Sequence, residues 1–203
     1  LIPEKDERAI FSSWRISFFG AIALLILLPG VDRLFGVPQP AEFHPEVDTG
    51  AHVLMAMNQA AGSGASPRTV FALLLHDLGK GLTPREEWPS HAGHEERGAP
   101  LVEAVCDRLR APNAFRDLAV KVCRLHLRTH LVGQMRPGSV MKLIEDADLL
   151  RRTDLRDDFL AACLADTVLG EFPVTRVRLR LRKPGAVSAA RDVGVIIERG
   201  KRS

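Results

Sequence analysis

From Asp48 onward, apolar residues recur at three- and four-residue spacing, the period of helices that bury one face. The stretch "DTGAHVLMAMNQAA" predicts a helix with His52 in its first turn, and "AGSGAS" reads as a flexible connector. Ser66-Pro67 then supplies an N-cap and a first helical residue, and Gly79 a glycine past the end, so the pattern predicts one helix over Pro67 to Leu78. His76 and Asp77 fall in its last turn. Four further segments carry the same period: "GAPLVEAVCDRLR", "PNAFRDLAVKVCRLHLRTH", "SVMKLIEDADLL" and "DLRDDFLAACLADTVLG". The predicted fold class of the body is all-α, a helical bundle, without internal repeat or low-complexity segment.

Both ends depart from this pattern. Ile16 to Val31 runs sixteen residues without a charge, whereas a membrane span wants about 20. Gly20, the closing Pro29 and the direct continuation into "DRLFGVPQP" favour a buried core helix over a membrane or signal segment. At the other end "VTRVRLRLR" alternates strictly from Val177 to Arg182 and "DVGVIIE" is β-branched. The tail is therefore β-like or disordered, and a lone hairpin after helices is locally inconsistent with the body. The expected organisation is an N-terminal apolar segment (1–30), a helical domain (31–170) and a basic tail (171–203).

At 203 residues and 46% hydrophobic content, the chain can bury one sizeable core. It begins at Leu1 and not Met, which suggests a processed product or a fragment. The formal charge of +3 is unevenly spread, because the tail from Glu171 holds nine Lys/Arg against three Asp/Glu. A basic tail on a mildly acidic body suits an RNA or anionic surface, but a solvated face is the commoner meaning of such a run. With no Tyr and 5% aromatics, base stacking is poorly provided. Cys106, Cys123 and Cys163 lack C-x-x-C spacing and read as buried free thiols in a reducing cytoplasm.

The chemistry concentrates in the middle. All seven histidines lie between His44 and His130. A His near the start of one helix, a His-Asp pair at the end of the next and an Asp late in the bundle can converge at one end of packed helices. Asp166, alone in "LAACLADTVLG", is the natural fourth member, since a carboxylate on an apolar face is costly unless paired or bound to a cation. Imidazoles with two carboxylates form a mixed N/O site suited to Mg, Mn, Fe, Ni or Co. Such an ion lowers the pKa of water and polarises a phosphoryl oxygen.

These residues resemble a known family. His52, His76-Asp77 and Asp166 match the H…HD…D pattern of the HD superfamily of metal-dependent phosphohydrolases. More closely, "LLPGVDRLFGVPQPAEFHPEVDTGAH", "LLLHDLGKGLTPREEWPSHAGHEERGAPLVE" and "LRAPNAFRDLA" are similar to the HD half of the bacterial multifunctional CCA-adding tRNA nucleotidyltransferases. The resemblance covers about Leu24 to Leu169. It implies hydrolysis of 2′,3′-cyclic nucleotides, 2′-nucleotides and other small phosphates, plausible chemistry for tRNA 3′-end repair, with Ni²⁺ or Mg²⁺, or else Mn²⁺ or Co²⁺, as cofactor. It implies that His52, His76, Asp77 and Asp166 hold the metal and that Lys80 meets substrate phosphate. His94 in "HAGHEE" and His126 in "RLHLRTH" match histidines that bind a second ion in two-metal relatives. The implied partners are tRNA or small phosphate esters and a separate nucleotidyltransferase half, with no membrane expected and the oligomeric state open.

The nucleotidyltransferase half has no counterpart here: Asp146-Ala-Asp148 lies in a helical pattern with no glycine-rich run before it. The chain alone is therefore not expected to add CCA. A second reading is a non-catalytic tRNA-positioning body of a split or truncated CCA enzyme. A third is another HD chemistry, on an alarmone or a deoxynucleoside triphosphate. Beside the implied site residues, His44 reads as structural, and His91 and His130 as solvent-side or supporting groups.

Overall fold

The computed structural model describes residues 28–41, 47–168, 176–187 and 190–200. His44 and most of the apolar N-terminal stretch lie outside the described residues. The helices are α1 (Pro29–Asp32), α2 (Thr49–Gly62), α3 (Pro67–Leu75), α4 (His94–Arg108), α5 (Asn113–His130), α6 (Pro137–Asp146) and α7 (Thr153–Val168). Short 3-10 segments span Leu78–Leu82, Arg85–Glu87 and Val132–Gln134. The all-α body is as the periodicity predicts. Among the described residues no helix is long and apolar enough to cross a membrane.

Local chemistry sets the helix starts. Asp48 is extended and its side chain accepts from the Ala51 N–H at 2.8 Å, capping α2. Ser66 does the same for Thr69 N–H at 3.2 Å, with Pro67 at the first helical position. Helices α3, α5 and α7 pack around one core, where Leu73, Leu75, Leu118, Val122 and Phe159 are buried. On α7 the buried stripe runs Phe159, Ala162, Cys163, Asp166, so the carboxylate continues the apolar face inward.

Two helix boundaries differ from the sequence pattern, and both differences shape the site. The predicted helix over Pro67 to Leu78 stops at Leu75, so His76 is its C-cap and Asp77 lies beyond it (φ −104°, ψ 11°). The His76 ring ends the helix itself: its Nδ1–H donates to the Leu73 carbonyl at 2.7 Å, one of the last-turn acceptors left without a helical donor. Gly79 is not a left-handed cap. It lies in the 3-10 turn, where a Cβ would collide with the His94 carbonyl and come within 2.7 Å of the Gly98 nitrogen. Helix α4, expected from Gly98, starts one turn earlier at His94, behind the left-handed Gly93 (φ 72°). It forfeits a backbone bond at Pro100 to do so.

Gly79→Ala is therefore expected to cost about 3 kcal/mol, because both colliding groups are backbone and neither can rotate away. Urea denaturation reads this directly, and an unchanged midpoint would show that the turn and α4 are not in close packing.

The tail carries the strand alternation seen in the sequence. Strands β1 (Arg176–Val187) and β2 (Ala190–Gly200) pair antiparallel, with Arg178 opposite Glu198 and Leu181 opposite Val195. The register shifts between Pro184 and Val187, where proline has no N–H to donate.

Candidate metal centre

Six side chains from five elements meet at one end of the bundle. His52 comes from the first turn of α2, His76 and Asp77 from the end of α3, His94 from the start of α4, His126 from α5 and Asp166 from the last turn of α7. All six are buried. His52 Nε2 lies 2.8 Å from Asp166 Oδ1. His76 Nε2 is 3.4 Å from that same oxygen and 3.2 Å from Asp77 Oδ2. Asp77 Oδ1 faces His94 Nε2 at 3.2 Å and His126 Nε2 at 3.6 Å.

The backbone dictates how three of these rings present themselves. A carbonyl can only accept, so a ring nitrogen facing one must carry the proton. His76 Nδ1 faces the Leu73 carbonyl, His94 Nδ1 the His91 carbonyl at 3.0 Å, and His126 Nδ1 the Val122 and Cys123 carbonyls, each at 3.1 Å. Each ring thereby turns its Nε2 toward the centre. In the neutral form these are lone pairs, and those of His94 and His126 stand 3.4 Å apart. Lone pairs so opposed repel unless a cation lies between or beside them. Among the described residues, His76 Nε2 and Asp77 Oδ1 are buried and lack a hydrogen-bond partner, an arrangement that costs free energy unless something else satisfies them.

Electrostatics give the same reading. Burial pushes the His76 imidazole down, but the Asp77 and Asp166 carboxylates outweigh it and raise its pKa to about 10. Burial likewise works against charge on Asp77, yet His76 and Lys80 hold it well below the ordinary carboxylate value. Asp166 is held low against burial by His76, His130 and His52. His126, by contrast, is driven down to about 3 by burial and stays neutral. Two ionised carboxylates in a buried nest of imidazoles need positive charge, which His76 and Lys80 carry in the metal-free protein and which a divalent ion would supply on displacing the His76 proton. Three donor sets can hold a metal ion: His52, His76 and Asp77; His76, His126 and Asp166; and Asp77, His94 and His126, with the donor atoms of each set within 4.8 Å of one another. The thiols do not compete, since burial pushes both Cys123 and Cys163 up to about 12.

Lys80 is drawn into the cluster. Its Nζ donates to Asp77 Oδ2 at 2.8 Å and to Gln39 Oε1 at 2.5 Å, and the side chain is buried. His130 sits at the rim, with Nε2 2.9 Å from Asp166 Oδ2. His91 is fully inside and not solvent-side: its Nε2–H donates to the Pro38 carbonyl at 2.6 Å, and its backbone is left-handed (φ 49°). The four-residue step from His126 to His130 signals a shared helix face. Nothing local marks Gln39, which reaches Lys80 across 41 positions.

The HD-domain sequence profile matches residues 49–158, more than half of the chain and the segment that supplies every one of these groups except Asp166 and Gln39. The chain belongs to the HD-domain family. The chain is 48% identical to the Multifunctional CCA protein of Thioalkalivibrio sulfidiphilus, over 82% of this chain and 42% of that protein. It is 54% identical to the protein of the same name from Halorhodospira halophila, over 71% of this chain and 35% of that one. The Alkalilimnicola ehrlichii Multifunctional CCA protein aligns with 98% of the chain at 43% identity and is covered to 51%. The chain thus spans about half the length of the curated relatives it matches, and the expected resemblance to the HD half of CCA enzymes is borne out. No solved structure matches it.

Proposed function

We propose that this HD domain is a metal-dependent phosphohydrolase whose divalent ion is held by His52, His76, Asp77 and Asp166. Its substrates are 2′,3′-cyclic phosphodiesters, 2′-nucleotides and related phosphate esters, and its setting is tRNA 3′-end processing in the cytoplasm. The observation that carries this reading is the inward aim of His76, His94 and His126, fixed by backbone carbonyls, onto two carboxylates, of which Asp77 keeps one buried oxygen without a hydrogen-bond donor among the described residues. The substrate class is the one implied by the resemblance to the HD half of CCA-adding enzymes, and the likeness to Multifunctional CCA proteins supports that reading. An imidazole-rich set with two carboxylates favours Ni²⁺, Mn²⁺ or Co²⁺ over Mg²⁺, which prefers oxygen and water.

A bound ion there supplies Lewis-acid chemistry to water and to a phosphoryl oxygen. The protein's own groups do the rest. The Nε2 atoms of His94 and His126, turned toward the centre, would accept a proton from the attacking water, or hold a second ion through the set they share with Asp77. Lys80 offers positive charge to the phosphate. Water oxygen bonds to phosphorus, one ester P–O bond breaks, and the departing alkoxide takes a proton. Asp146 and Asp148 take no part: Asp146 pairs with Arg128 and Lys142, and Asp148 with Arg151.

The test is hydrolysis of 2′,3′-cyclic AMP with each divalent ion, alongside incorporation of CTP or ATP into tRNA. Hydrolysis without incorporation is expected. Lys80→Ala should lower hydrolysis about 10- to 100-fold, the worth of a charged hydrogen bond, with bound metal retained. Cyclic phosphate that survives every ion while metal stays bound would favour the non-catalytic tRNA-positioning body.

A further inference from the structure

Lys80 cannot hold its own position. An ammonium on a four-carbon stem is flexible and strongly hydrated, yet this one is buried and pinned between one oxygen of Asp77 and the amide oxygen of Gln39. Gln39 is itself anchored on two sides. Its backbone N–H donates to the Val47 carbonyl at 2.6 Å, in the same short ribbon where Thr49 N–H donates to Val37, at the head of the helix that carries His52. On the other side the Pro38 carbonyl accepts from His91, whose own carbonyl takes the His94 ring. The amide orientation is not free either. Lys80 has only donors, so Gln39 must turn its oxygen to it, and Gln39 Nε2 is then left buried without a partner among the described residues. A side chain kept in place despite that cost marks a position where local satisfaction yields to a site's requirement.

We infer that Gln39 is a positioning residue: it holds the Lys80 ammonium beside Asp77 so that a fixed positive charge stands next to the metal position and meets a phosphate group. Two of the three ammonium hydrogens are taken by Asp77 and Gln39, leaving one for an incoming acceptor. The inference rests on the phosphohydrolase reading and deepens it, since it names what orients the substrate's charge partner. Gln39 acts through Lys80 and touches neither metal nor substrate.

The experiment is a double-mutant cycle in the full chain, with inorganic phosphate as the probe. Divalent-metal occupancy and phosphate affinity are measured for wild type, Gln39→Met, Lys80→Met and the double variant. Metal occupancy should be alike in all four. Each single variant should bind phosphate about tenfold more weakly, and the double variant no more weakly than Lys80→Met. Wild-type phosphate affinity in Gln39→Met, or losses that add in the double variant, would overturn the inference. Gln39→Glu, close in shape, separates holding from charge and serves if Gln39→Met does not fold: it should keep Lys80 in place but weaken phosphate binding, because its carboxylate cancels the ammonium. Phosphate binding as in wild type would count against the inference. If the wild type takes up no metal, the phosphohydrolase reading fails by itself. Gln39 is then judged on the metal-free chain by acylation of Lys80 with acetic anhydride, read by peptide mass spectrometry. A rate roughly tenfold faster in Gln39→Met supports it, and equal rates overturn it.

Discussion

Asp77→Ala is expected to abolish both bound metal and phosphate-ester hydrolysis while the helices remain. Asp77 belongs to two of the three donor sets in the cluster. One of its oxygens is shared between His76 and Lys80, and the other faces His94 and His126. The remaining carboxylate, Asp166, already pairs with His52 and His130 and itself belongs to the proposed ligand set, so its charge cannot replace that of Asp77. The substitution also leaves Lys80 as a buried cation without its counter-charge, an arrangement that typically costs about 3–5 kcal/mol. The fold of the variant must therefore be checked by circular dichroism. Metal occupancy equal to that of wild type by elemental analysis would contradict the assignment of Asp77.

The second large effect is on stability as a function of pH. In the metal-free protein His76 has a folded pKa of about 10 against an ordinary value of 6.5. It therefore contributes stability that is full below pH 6.5 and is lost as pH rises toward 10. His126 acts in the opposite sense: kept neutral by burial, with a folded pKa of about 3, it favours the fold above pH 6.5 and loses that contribution as pH falls. Asp77 and Asp166, both held low, lose theirs below the ordinary carboxylate value of 3.8. The metal-free protein should therefore be most stable near pH 6.5. A metal ligand must present a lone pair, so binding at His76 releases its proton. The stabilisation by metal should then grow between pH 6.5 and 9, by about 1.4 kcal/mol per pH unit for one proton displaced. Melting curves with chelator and with saturating ion across this range read the difference. A gap that stays constant with pH would mean that no protonated group lies at the metal position.

The parts of the fold visible in the sequence are those with a local period. Helix starts at Asp48 and Ser66 carry their capping atoms beside them, and the tail's alternation from Val177 to Arg182 lies within the paired strands. Asp166 could be singled out because a carboxylate on a stripe with Phe159 and Cys163 has to be compensated. What escapes is set by packing between distant segments. Gly79 reads as a helix stop, but its smallness is needed for the approach of His94 and Gly98, which nothing near Gly79 encodes. The early start of α4 is hidden for a similar reason, since Pro100 mimics a first helical residue. His91 sits in a polar stretch, and only the Pro38 carbonyl explains its burial. Gln39 lies inside a phrase that carries the family resemblance but has no period or chemical partner beside it; its role exists only once Lys80 folds over it.

The proposed divalent ion among His52, His76, Asp77 and Asp166 is tested most directly by anomalous diffraction from crystals grown with Mn²⁺. The expected map has a strong peak within coordination distance of His76 Nε2 and of both carboxylates, with any second peak between Asp77, His94 and His126. An ordered cluster with no anomalous peak among these side chains, at an ion concentration that supports hydrolysis, would contradict it.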